Sequence, residues 1–151
     1  MRRPSRPAAM HGDEGNALVE FVVLGVLVLV PLVYVVLTVF QVQRHAYALT
    51  SAAREGGRVF VLASSGDQAF ARAETAIRIS LADQGVDADA VGVDFRCSQD
   101  PCLSPGGRVD VLLRARAPLP LVPASLGGSP TSVEVSARQT AVVDSYREAR
   151  P

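Results

Sequence analysis

The chain has 151 residues, of which 48% are hydrophobic and only 5% aromatic, a length that suits one small domain and excludes a large multidomain enzyme. Fifteen basic residues, all arginine, balance fifteen acidic ones for a formal net charge of zero. There is no basic excess to neutralise phosphates, so nucleic acid is not a required partner.

Residues 1–15 are polar and basic, carry two prolines and have no apolar periodicity, and they read as a cytoplasmic leader. Phe21 to Phe40 then forms a 20-residue run in which Thr38 is the one polar residue and nothing is charged. A helix of about 20 residues at roughly 1.5 Å rise crosses the hydrocarbon layer of a bilayer, so the run is expected to be a single transmembrane span. A secretory signal peptide is the competing reading, with Arg2, Arg3 and Arg6 as its basic end, but its apolar core should be about 7–15 residues and end at small residues. Here the run is longer and ends in Gln41-Val42-Gln43-Arg44, which favours a retained anchor.

Past the span, Val42, Ala46, Leu49, Ala53, Gly56 and Phe60 recur in steps of four and three, one helical stripe. Arg44, Thr50, Ser51, Arg54, Glu55 and Arg58 lie on the other face. The expected helix therefore runs from Asn16 to about Leu62, on the order of 70 Å, apolar all round at first and amphipathic afterwards. Pro31 removes a backbone donor inside it and is expected to bend it. The small residues Ala46, Ala48, Ala52, Ala53, Gly56 and Gly57 would permit close helix contact, with a subunit interface as one use.

Ser65-Gly66-Asp67-Gln68 has the pattern of a capping box. It predicts a second helix with Phe70, Ala73, Ile77 and Leu81 as its buried stripe and Gly85 as its left-handed terminator. The period then falls to two at Val91, Val93 and Phe95, at Val109 to Ala115, and at Val133, Val135 and Ala137, predicting three strands. Ser104-Pro105-Gly106-Gly107 marks a turn between the first two. Pro118, Pro120, Pro123 and Pro130 argue against a ladder between the second and third. The expected fold class is α+β: a long N-terminal helix, a second helix and a small three-stranded antiparallel sheet. The division is leader 1–15, transmembrane and amphipathic helix 16–63 and α+β head 64–151.

Cys97 and Cys102 are the only cysteines, with four residues between them, Pro101 among these. That spacing suits a small disulfide-closed loop in an oxidising compartment and places the head outside the cytoplasm, with the N-terminus inside. Arginines flank the span on both sides, so charge alone orients it weakly. Zinc needs four ligands, and His11 and His45 lie far from the cysteines. Asp83, Asp87, Asp89 and Asp94 lack the calcium-loop pattern and read as a solvated turn. The part after the span has no histidine for a general base, so no enzyme, metal or cofactor is expected.

Glu20 stands out, because a carboxylate at the start of a bilayer-spanning helix costs free energy that a plain anchor avoids. A snorkelling glutamate is the plain alternative. Its setting, Gly15-Asn16-Ala17-Leu18-Val19-Glu20-Phe21, puts a glycine at the end of the polar leader and a glutamate at the fifth position after it. This resembles the prepilin peptidase site of type IV pilins. With Pro31 and Ala52-Ala53-Arg54-Glu55-Gly56-Gly57-Arg58, it resembles the TadE family of minor pseudopilins of tight-adherence (Flp, type IVc) pilus systems, over roughly residues 15–60. Asp13 and Glu14 stand where that family has a basic leader end, and Asn16 is larger than the usual residue there. The resemblance implies cleavage by a prepilin peptidase between Gly15 and Asn16. It also implies that Glu20 pairs with the amino terminus of a neighbouring subunit, and that other pilins or pseudopilins and the pilus assembly platform are the partners. The alternative is a signal-anchored extracytoplasmic binding domain that does not polymerise.

Overall fold

The structure, a computed structural model, describes residues 14–119 and 132–146. Helix α1 runs from Glu14 to Leu62 and helix α2 from Gly66 to Asp83, followed by one 3-10 turn at Ala88–Ala90. Strands β1 (Gly92–Cys97), β2 (Arg108–Pro118) and β3 (Ser132–Val142) form an antiparallel sheet in the order β1-β2-β3. The α+β class, the two helices and all three strands are as the periodicities predict. Pro118 is the last residue of β2, where it pairs with Ser132. Pro120, Pro123 and Pro130 lie outside the described residues, as does the leader up to Asp13.

The chain divides into two compact units, one up to Val36 and one from Leu37. The first holds the apolar part of α1, where the large side chains from Leu18 to Val36 are mostly exposed. From Ala17 onward α1 is long and apolar enough to cross a membrane.

The second unit is a two-layer head. On β2 the side chains alternate strictly, with Val109, Val111, Leu113, Ala115 and Ala117 buried and Arg108, Arg114 and Arg116 exposed. This period of two is what a sheet covered on one face requires. The cover comes from α2, through Ala69, Ala73, Ile77 and Leu81, and from α1, through Ala48, Leu49, Ala52, Ala53 and Phe60, all at most 1% exposed. One core cluster joins Leu49, Ala53, Ile77, Leu81, Val111 and Leu113, and a second surrounds Phe60 with Ala69, Ala73 and Val109.

Two details of α2 differ from expectation. Its buried stripe begins at Ala69, whereas Phe70 is 40% exposed. Stacking rather than burial holds Phe70, whose ring meets Phe60 edge-on at 4.9 Å and Phe95 at 5.5 Å. Ser65 is the N-cap residue, in extended conformation, but its side chain makes no capping hydrogen bond, so the position of the helix start is right and the capping box is not formed. Gly85 terminates the helix at φ +67° as predicted, a conformation that favours glycine.

Candidate functional site

Glu20 is the one charged residue between Ala17 and Phe40, and it is exposed on α1 among exposed apolar neighbours, Leu18, Val19, Phe21 and Leu24 among them. Gly15 and Asn16 belong to the first turn of α1, one turn before Glu20. Pro31 lies inside α1, which continues as helix on both sides of it. Pro31 has no N–H to return to the carbonyl of Leu27, so one backbone acceptor in the apolar half lacks its usual helical partner. Exposed apolar side chains in an unbroken run need lipid or protein around them, and a carboxylate among them is costly unless it reaches the interface or meets a cation. The first half of α1 is thus a surface with a single electrostatic demand.

The small residues of the second half of α1 are used inside the head. A Cβ on Gly56 would come within 2.6 Å of two Ile77 side-chain atoms on α2, and one on Gly57 within 3.2 Å of the Ala141 Cβ on β3. Ala48, Ala52 and Ala53 are fully buried in the same core. Two adjacent glycines let one helix approach α2 with one side and the sheet with the next. This stripe is an intramolecular seam, and the subunit-interface reading of it is corrected.

Cys97, the last residue of β1, is disulfide-bonded to Cys102. The cystine and Leu103 pack against the Phe60 cluster. The loop returns to β2 through a tight turn in which Gly106 has φ +71° and the Gly107 amide donates to the Ser104 carbonyl. The four aspartates gather no ligand set. Asp89 accepts from Arg78 at 2.7 Å, Asp94 from Arg96 at 3.0 Å, and Asp87 caps the amide of Asp89. Among the described residues no three His, Cys, Asp or Glu side chains could share a metal ion.

Several contacts were not legible beforehand. Arg44 of α1 donates to the Gln84 carbonyl at 2.9 Å, placing a cation where the α2 dipole is negative. On the outer sheet face Asp110 accepts from Thr140, its partner across the β2–β3 ladder, and from Arg138. These bonds, the one from Thr140 first, hold the Asp110 carboxyl below the ordinary carboxylate range. Within α1, Arg58 donates two bonds to Glu55 and lowers its carboxyl likewise. Sequence spacing shows the Glu55–Arg58 pair, whereas the Asp110 cluster needs the strand register. A groove of about 810 Å³ between the helices has Tyr47, Thr50, Arg54, Ile79 and Asp83 on its walls and no histidine or cysteine.

No family model matches the chain, and no curated protein or solved structure matches it either.

Proposed function

We propose that the protein is a pseudopilin or minor pilin that takes part in assembling a Flp/Tad-type type IV pilus. In this reading α1 anchors it by a single pass in the cytoplasmic membrane, the N-terminus lies inside and the head outside. A prepilin peptidase cuts between Gly15 and Asn16. The observation that carries the reading is the isolation of Glu20, the sole charge in the exposed apolar stretch from Ala17 to Phe40, five positions after Gly15. Cleavage creates an ammonium at Asn16, and such an ammonium on an adjacent subunit neutralises a carboxylate that otherwise has no counter-ion at that depth. The Cys97–Cys102 disulfide supports an extracytoplasmic head.

Glu20→Ala is the test. Replacing the carboxylate by a methyl makes insertion no worse, so the variant should be inserted and processed as before. Its association with other pilins after gentle detergent extraction should be lost. Undiminished co-purification would leave a snorkelling glutamate and favour the signal-anchored domain.

A further inference from the structure

Near the start of β2, the outer face of the sheet gathers three arginines around Asp110, one from each strand. Arg96 of β1 stands directly opposite Asp110 in the ladder, Arg108 lies two residues before it on β2, and Arg138 of β3 bonds to it. Together with Ser98, Asp110 and Thr140 they line a groove of about 510 Å³. Strand register fixes these positions, because residues two apart share a face and Thr140 is the partner of Asp110 across the other ladder. Ser98 is tied to Arg108 in both directions: its amide donates to the Arg108 carbonyl at 2.9 Å, and its Oγ accepts from the Arg108 amide at 2.8 Å. The Cys97–Cys102 disulfide closes the loop that begins at Ser98.

Hydrogen-bond donors in this groove outnumber acceptors. Both oxygens of Asp110 are engaged, Oδ1 by Thr140 and Oδ2 by Arg138. A guanidinium carries five N–H donors, yet Arg96 gives only its Nε to Asp94 and Arg138 only its Nη2 to Asp110. The Arg108 guanidinium has no hydrogen-bond or ion-pair partner among the described residues. On α1, by contrast, Arg58 closes a two-bond fork on Glu55. The Ser98 hydroxyl, an acceptor toward the Arg108 amide, keeps its own proton to donate. Three positive charges thus surround one carboxylate whose oxygens are already bonded, and the walls hold no aromatic ring on which a nucleic-acid base could stack.

We infer that this groove binds a small polar ligand through a carboxylate or phosphate group. The planar fork of a guanidinium matches the paired oxygens of either group. The Ser98 and Thr140 hydroxyls suit a sugar-like carrier, and the volume suits a ligand of that size. Arg108 is the principal contact, flanked by Arg96 and Arg138. Asp110 is a positioning residue: by bonding Arg138 and Thr140 it holds one guanidinium in place before the ligand arrives, which lowers the ordering cost of binding. All of these residues belong to the head, so the inference stands apart from the cleavage and assembly reading.

Full-length protein in detergent at low ionic strength is titrated calorimetrically with inorganic phosphate, with glucuronate and with glucose. Binding of at least one anion and none of glucose is the expected result. Phosphate alone would name a phosphate ester as the ligand class, and glucuronate alone a sugar acid. Arg108→Gln and Arg96→Gln should each weaken that binding about tenfold or more. Arg116→Gln, exposed on the same sheet but outside the groove, should leave it unchanged. The unfolding midpoint of each variant, expected at that of the unmodified protein, separates a lost contact from a lost fold. Failure of both anions to bind, glucose binding as well as they do, or undiminished binding by Arg108→Gln and Arg96→Gln would overturn the inference. Equal weakening by Arg116→Gln would also overturn it, since the effect would then belong to general surface charge and not to this groove.

Discussion

Ala17–Phe40 and Ala48–Phe60 belong to one helix, yet they are built for different surroundings. The first stretch exposes branched and large apolar side chains on nearly every side, with Leu27 69% and Leu29 57% exposed. The second narrows its apolar character to a stripe of alanine, glycine, Leu49 and Phe60, all buried, and gives its other face to Arg54, Glu55 and Arg58. Side-chain size follows from this. Where hydrocarbon surrounds a helix, bulk on all sides is favourable. Where a second helix and a sheet close in, small residues are needed, and at Gly56 an added Cβ would come within 2.6 Å of Ile77. One helix can therefore carry a membrane-type surface and a globular core in succession, and substitutions should behave differently in its two parts.

The comparison is broken most directly by truncating one leucine in each part. Leu49→Ala removes a fully buried side chain from the centre of the head core and should destabilise the head by about 2–5 kcal/mol in denaturant unfolding of detergent-solubilised protein. Leu27→Ala, at an exposed position, should leave that transition unmoved. Equal losses would mean that the two halves are not distinct environments. The head's own closure is next: replacing Cys97 and Cys102 together by serine should cost roughly 2 kcal/mol from loop-closure entropy, read from the same transition. Thiol labelling of both cysteines in exported, non-reduced protein would contradict the bond.

Gly56→Ala sharpens the contrast further, because alanine is ordinarily the better helix former by up to about 1 kcal/mol. Here its Cβ would collide with Ile77. Overpacking costs typically about 1–3 kcal/mol, so the net change should be a loss of about 1 kcal/mol. The same change at Gly25, where an added Cβ meets nothing, should be neutral or favourable. The smallest effect concerns pH. Asp110 has its carboxyl lowered in the folded head, so its contribution is present above the unfolded carboxylate range and is lost as pH falls through the lower folded value. Asp110→Asn should flatten that acid-side fall, measured as the pH dependence of the denaturation midpoint.

Much of this organisation is legible in the sequence because it rests on period. The run from Phe21 to Phe40, the shift from a period of three and four to one of two after Gly85, and the Cys97–Cys102 spacing all report local chemistry. What period does not resolve is which of two adjacent residues faces inward. Ala69 rather than Phe70 is buried because the space beneath α2 is already filled by Phe60, leaving room for a methyl and not a second ring. The destination of the alanine and glycine stripe was equally open, since a seam within the head and a seam between subunits ask for the same small residues. At Asp110, the bonds from Thr140 and Arg138 depend on a strand register that only pairing across the sheet sets. Glu20 is the opposite case: its isolation is entirely a property of the sequence.

The central claim is that residues 1–15 are a leader removed to create the cation that Glu20 needs. The intact mass of the protein extracted from its native membrane tests this most directly, with Gly15 replaced by leucine for comparison. A mature chain beginning at Asn16, and a full-length Gly15→Leu chain left unprocessed in the membrane, is the predicted result. A native chain that retains residues 1–15, or a Gly15→Leu chain still shortened at Asn16, would contradict it.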